Sequence, residues 1–346
     1  MALSVVLVRL AVVRPFLAIS SRRVWNALPA SLRAGRFRVN ASGAKRSQCR
    51  VLCLLADPHP RDMHAAIDFG ISNTDAVASI NGHVHHWTQP SDGPPDELVV
   101  RHILQVGGVD FASLTQLAVT GGRHRALPSR IGTLALSGVD EITAIGRGGQ
   151  ALSGGDDADE PILVVSAGSG TAIITARGPK YAHVTGTGVG GGTLLGLGRL
   201  LLQTADAREI DALAQRGNRN GADLSLRDVI SGPIGNLPPD ATAVNFGKLA
   251  REGHTASRED LAAALMTLVG QVIAITAINA ARAERVERVV VIGHMTDMAS
   301  FRKTLDLVGD YYGMQLILPE NAGFGTALGA LLYEQDHIAH AQRRST

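Results

Sequence analysis

The 346-residue sequence predicts an α/β protein of two lobes. Three observations carry that expectation. Ile162–Val165 and Ala172–Thr175 are short β-branched runs flanking the small-residue turn Ala167-Gly168-Ser169-Gly170-Thr171, which is the pattern of a hairpin. A stretch of the same kind stands roughly 100 residues earlier, where a strand ending in Asp68-x-Gly70 meets Ser72-Asn73 and a second strand returns. Gly186-Thr187-Gly188-Val189-Gly190-Gly191-Gly192-Thr193 then leads into the leucine-rich run Leu194–Leu202, a glycine loop feeding a helix N-terminus, which is a backbone site for an anion.

Apolar residues make up 45% and charged residues 18%, values of an ordinary globular chain. The net charge of +2 hides an asymmetry. Residues 1–56 carry nine arginines, one lysine and no acid, so the remainder holds 23 Lys+Arg against 31 Asp+Glu. So acidic a body gives no reason to expect a nucleic-acid partner. The only cysteines are Cys49 and Cys53. They lack a matching His or Cys pair, and the body has no disulfide framework, so a reducing compartment fits.

Residues 1–62 read as a leader: a superfluous extension before a start at Met63, or a targeting peptide. Arg-rich, Ser-rich and acid-free composition is that of an organelle transit peptide. Arg9, Arg14 and Pro15 interrupt the apolar start too often for a spanning helix, which needs about 20 apolar residues. A first lobe over 63–160 and a second over 161–346 follow, with the acidic, Gly-rich run Gly154–Glu160 between them.

In the first lobe His64–Phe69 is a strand, and Asp68 at its end suits Mg²⁺ held through water. Ser72, Asn73 and the turn N–H groups would face phosphates. Ordinary turns use the same residues; two such hairpins together favour a phosphate clamp. Leu117–Thr120 is a buried-type strand ending in glycines. Asp140 and Glu141 begin a helix, where the dipole favours acids; the sharper alternative makes one of them a general base for an alcohol.

In the second lobe Lys180–His183 lies between hairpin and glycine loop, and His183 is a candidate substrate contact. Arg208–Gln215 and Leu224–Ile230 read as helices. Ser257-x-x-Asp260 caps a long helix whose stripe Leu261, Leu265, Leu268, Val272, Ile275 and Ile278 keeps helical spacing. Val289–Gly293 and Gln315–Leu318 are strands, and Pro319–Ala330 is a small-residue helix start where an adenine ring can approach the backbone.

Asp68-x-Gly70, Gly168-Ser169-Gly170-Thr171, Gly190-Gly191-Gly192-Thr193 within its longer glycine run, Asn245-Phe246-Gly247, Val291-Ile292-Gly293 and Glu320-Asn321-Ala322-Gly323 occur in this order. Together they resemble the type II pantothenate kinases over roughly residues 63–335. The resemblance implies an actin-like (ribonuclease H-like) two-lobed kinase fold, a homodimer, ATP with Mg²⁺, and phosphorylation of pantothenate to 4′-phosphopantothenate in coenzyme A synthesis. A cytoplasmic protein is expected, or an organellar one if residues 1–62 are a transit peptide; no membrane partner is expected.

Carried over by position, the resemblance makes Glu141, seven residues before Gly148, the base, with Asp68 the second catalytic carboxylate. ATP would be held by Gly70, Ser72, Asn73, Ser169, Gly170, Thr171, Gly190, Gly191, Gly192, Thr193, Leu194, Leu195, Gly293 and His294. Ser169, His183 and Gly186 would meet the substrate. Ile71, Asp75 and His183 stand where the family carries Gly, Lys and Arg. Two alternatives are a diverged kinase for another small alcohol and a non-catalytic nucleotide or acyl-coenzyme A regulator. A dinucleotide-binding fold fits less well, because Gly186-x-Gly188-x-Gly190 has no acid ending a following strand, and no P-loop sequence is present.

Overall fold

The computed structural model describes residues 63–344 apart from 81, 155–159, 233 and 236. The leader, its cysteines and most of the acidic link lie outside the described residues. All described residues fall in one unit, Ser42–Thr346.

Two sheets with matching order organise the chain. The first contains β1 (Met63–Phe69), β2 (Asn73–Ile80), β3 (His83–Pro90), β4 (Leu114–Thr120), β5 (Arg130–Ile131) and β6 (Leu134–Gly138), in the order β3-β2-β1-β4-β6-β5. The second contains β7 (Ile162–Ala167), β8 (Thr171–Arg177), β9 (Lys180–Thr187), β12 (Arg288–Ile292) and β13 (Leu316–Ile317), in the order β13-β12-β7-β8-β9. In each, three antiparallel strands are followed by two parallel strands on the far side of the first, and the first sheet adds the short antiparallel β5 at its edge. Each of the two hairpins foreseen from the turn residues is therefore the start of one sheet.

Helices separate and cover the sheets. Helix α1 (Glu97–Val106) buries Val100, Ile103 and Leu104 against the outer face of the first sheet. Helix α2 (Glu141–Leu152) and the C-terminal α8 (Gly325–Arg344) lie between the sheets. Ala144, Ala327, Ala330 and Leu331 meet Ala66, Val77 and Ala118 of the first sheet, while Ile145, Leu152, Leu328 and Leu332 meet Ile162, Val164, Val290 and Ile292 of the second. Helices α3 (Gly191–Leu202), α4 (Ala207–Arg216), α6 (Arg258–Glu284) and α7 (Ala299–Tyr312) cover the other face of the second sheet. With both faces covered, β7 and β12 read as continuous apolar runs rather than alternating ones.

Three expectations change in detail. Leu224–Ile230 is not one helix: Leu224–Ser225 (β10) pairs with Thr242–Val244 (β11), and only Leu226–Val229 (α5) turns helical. The Asp228 carboxylate accepts from the Ser225 N–H at 2.9 Å and sets that start. Helix α6 is capped as expected, with Ser257 Oγ accepting from Asp260 N–H at 3.1 Å. Its buried stripe, however, runs through Ala262, Leu265, Met266, Val269, Ile273 and Ala277, while Leu261, Leu268, Val272 and Ile275 are only partly buried. Alanines on this stripe let the helix approach its neighbours closely. This helix is long and apolar enough to cross a bilayer, yet 67% of its apolar window is buried inside the protein. Finally, His83–Pro90 and Lys180–Thr187, which the motifs left without an assignment, are strands.

Candidate active site

Alternation along β1 decides where Asp68 points. Ala65, Ile67 and Phe69 pack against α1, while Ala66 faces α8. Asp68 shares the Ala66 face. Asp75, its cross-strand partner on β2, shares that face with Val77. Both carboxylates are thus directed toward the second sheet. Ser166 on β7 shares the face of Ile162 and Val164, which is turned toward the first. The face-to-face arrangement makes a cleft of about 450 Å³ between the strand ends.

The tips of the two hairpins meet. Ser72 and Ser169, 97 residues apart in the chain, share a hydrogen bond with Oγ to Oγ at 2.8 Å. Gly70, Asn73, Gly170, Thr171, Gly191, Leu194, Leu195, Gly293, His294 and Glu141 join Asp68, Ser72 and Ser169 in the cleft wall. Asp140 is the N-cap of α2, accepting from Ile142 N–H at 3.0 Å and Thr143 N–H at 3.4 Å. That leaves the next residue, Glu141, to face the cleft, and separates the two acids the sequence offered as alternatives.

The helix α3 terminus has a different role from the anion site expected of it. Gly191 N–H donates to Gly168 O and Gly192 N–H to Ser169 O, both at 2.8 Å. Thr193 Oγ donates to Gly188 O at 3.0 Å. The two N–H groups are spent on holding the second hairpin tip, and the Thr193 hydroxyl on the loop that follows β9. Gly190, Gly192 and Thr193 lie behind the cleft wall rather than in it. A Cβ on Gly190 would stand 2.8 Å from Gly170 Cα, so the glycine is required by this close approach. The Thr171 hydroxyl is likewise committed, donating to Val189 O at 2.8 Å.

His183 and Gly186 do not reach the cleft. His183 is exposed on β9, opposite Ile174, and Gly186 pairs with Ala172. Their position follows from a strand that a reading by motifs placed in a connecting loop.

The cleft is strongly acidic. Burial pushes the Asp68 carboxyl up to about 8; Asp75 and Glu141 add to the rise, and His294 opposes it. The surrounding protein and then the Asp140 charge push Glu141 up, against His124. His294 Nε2 donates to Asp75 Oδ1 at 2.9 Å and Nδ1 donates to Asp297 Oδ2 at 2.7 Å. Burial alone would lower the His294 pKa, but the bonds to Asp297 and Asp75 prevail and raise it to about 10. The ring is therefore an imidazolium at neutral pH.

A family model described as Fumble matches residues 152–333. The type II pantothenate kinase of Staphylococcus aureus strain USA300 is 32% identical over 229 residues, covering 64% of this chain and 84% of that protein. This chain belongs to the type II pantothenate kinase family. The family member from Bacillus cereus strain G9842, a type II pantothenate kinase, is 27% identical over 223 residues, 64% of this chain and 82% of its own. The activator of the 2-hydroxyisocaproyl-CoA dehydratase from Clostridium difficile, solved with bound ADPNP, superposes with a TM-score of 0.56 at 17% identity, over 82% of this chain and 97% of its own. Component A of the Acidaminococcus fermentans (R)-2-hydroxyglutaryl-CoA dehydratase gives 0.55 at 15% identity, over 79% and 97%. At such identities these two speak to the fold alone. The fold is the α/β, two-lobed, actin-like one that the type II pantothenate kinase resemblance implied.

Proposed function

We propose that the cleft transfers the γ-phosphoryl group of ATP to the hydroxyl of pantothenate, the first step of coenzyme A synthesis. Membership of the type II pantothenate kinase family supports the reaction and substrate. The single observation that carries it to this cleft is the convergence of Glu141 with the opposed tips Ser72 and Ser169. Phosphoryl transfer asks little covalent chemistry of a protein; it asks that nucleophile and phosphorus be aligned and the charge balanced.

On this reading Glu141 takes the proton from the attacking hydroxyl, which its raised pKa suits. The tips around Gly70, Ser72 and Gly168–Gly170 take the phosphates, and parting of the Ser72–Ser169 bond admits them. The apolar wall of Leu194, Leu195, Met295 and Met298 excludes water on the second-lobe side. Among the described residues no group of three ligating side chains could cage a metal. The Asp68 carboxyl is pushed up first by burial and then by the Asp75 and Glu141 charges, and that negative surrounding favours a cation beside it. That fits Mg²⁺ arriving on the nucleotide and held by Asp68 through water. Bound Mg²⁺ would supply charge neutralisation for the phosphates.

The same proposal includes a cytoplasmic homodimer. Its support is the family resemblance; Leu200, 77% exposed, and Val244, 48% exposed, are candidate contacts on the second lobe.

Release of ADP from Mg-ATP on adding pantothenate to the purified chain tests the reaction. Absence of pantothenate-stimulated release, with release stimulated by a different small alcohol, would replace the substrate while leaving phosphoryl transfer in place. Light scattering at several concentrations tests the dimer.

A further inference from the structure

The cleft wall poses an electrostatic problem. Among the described residues lining it are three acidic side chains, Asp68, Asp75 and Glu141, of which Asp68 is held largely protonated near neutral pH by burial, and no lysine or arginine. A polyphosphate entering such a cleft is repelled unless some positive charge is fixed nearby. His294 is the one lining side chain able to carry that charge, and it is bonded to Asp75 across the cleft.

The pair is built in rather than loosely apposed. Asp75, on β2 of the first lobe, is 7% exposed. His294 follows β12 in the second lobe, 219 residues away in the chain. The imidazole stands edge-on to Phe324, with centroids 5.2 Å apart and planes at 84°. A Cβ on Gly323 would reach 2.5 Å from Nδ1. Phe324 in turn stacks on His86 at 4.2 Å. Asp297 holds the second ring nitrogen but is 60% exposed, so water screens its charge, and it lies outside the cleft wall.

We propose that Asp75 and His294 act as one neutral unit: the imidazolium cancels the Asp75 charge and so lets a polyphosphate enter an otherwise acidic cleft. His294 is then specificity-determining for an anionic ligand without donating a hydrogen bond to it, because both its nitrogens are engaged. Asp75 is a positioning residue that fixes the ring. This inference rests on the nucleoside triphosphate reading of the cleft.

A strut and a charge unit predict opposite signs. Asp75→Asn keeps the shape, and the amide oxygen still accepts from Nε2, but one negative charge is gone while the imidazolium stays. Nucleotide affinity should rise about threefold or more. His294→Gln leaves Asp75 charged and unbalanced, and affinity should fall about tenfold or more. The double variant should return to within about threefold of wild type, a non-additive result. The differences should shrink in about 1 M salt. The measurement is equilibrium titration of the full chain with ADPNP and Mg²⁺ at low ionic strength, with thermal unfolding of each variant alongside.

Weaker binding by Asp75→Asn, with no recovery in the double variant, would make the pair a mere strut and overturn the proposal, while wild-type binding kept the nucleotide reading intact. Failure of the wild type to bind would remove both. Should His294→Gln not fold, the sign of the Asp75→Asn effect decides alone.

Discussion

The two hairpin tips do similar work with different supports. The tip between β7 and β8 is almost all glycine and serine, and its carbonyls are held by the first N–H groups of α3. The tip between β1 and β2 is held from the side by Ser91, just after β3: its N–H donates to Ser72 O and its Oγ to Gly70 O, each at 3.0 Å. The first tip is flanked by Asp68 on β1 and its cross-strand partner Asp75 on β2; the second carries no ionisable group. A buried helix end can hold a tip only if nothing bulky intervenes, so the second is rich in glycine. A tip held by one neighbouring side chain tolerates a large residue, and the first exposes Ile71 at 68%. Chemistry thus sits on one side of the cleft and rigid backbone on the other.

Removing the chemistry should have the largest effect. Glu141→Ala is expected to lower kcat by about 10²- to 10⁴-fold, with ADPNP binding within a few-fold of wild type. Loss of binding equal to the loss of turnover would move Glu141 from base to a purely structural role in the cleft wall. Next comes the second tip. Gly190→Ala forces a methyl group against Gly170 Cα and Ser169 O, each 2.8 Å from the added Cβ, and should cost about 1–3 kcal/mol in chemical denaturation. ADPNP affinity should fall with it. An unchanged midpoint would show that the tip is slack and the contrast false.

The Asp75–His294 bridge joins the two lobes, and its stability contribution depends on pH. The folded pKa of His294 is raised to about 10 from the ordinary histidine value of 6.5. Its contribution is therefore fully present below about 6.5 and is lost as pH rises from there through about 10. Thermal unfolding should show a decline across this window that flattens in His294→Gln. A wild-type curve matching the variant's would disprove the bridge.

The smallest effect belongs to the first tip's support. Ser91→Ala removes the hydrogen bond to Gly70 O and another with Thr74 Oγ at 2.8 Å. About 1 kcal/mol of stability and a modest rise in KM for ATP are expected, with kcat little changed. An effect larger than that of Gly190→Ala would reverse the ranking of the two supports.

Much of the site was legible because its parts are local. Asp68-x-Gly70 and Gly168-Ser169-Gly170-Thr171 are turns between β-branched runs, and period-two alternation is visible in any such run. Ser257 announced α6, and Asp140-Glu141 announced α2. The strand at Lys180–Thr187 was hidden because Gly186 and Thr187 read as the beginning of the glycine loop. The strand places His183 on an exposed position outside the residues that line the cleft. Ser91, lying just beyond β3, had no local mark at all.

Sequence alone determined the family and the locally marked elements: the hairpin strands beside the small-residue turns, and the helices with caps. These follow from a residue's own shape and its near neighbours. Only the tertiary structure decided that Asp75 finds His294 across the cleft, that the α3 N–H groups bind a hairpin instead of an anion, and that Glu141 rather than Asp140 faces the cleft. Such partnerships depend on how two sheets pack about α2 and α8, and no local pattern encodes which distant charge will arrive.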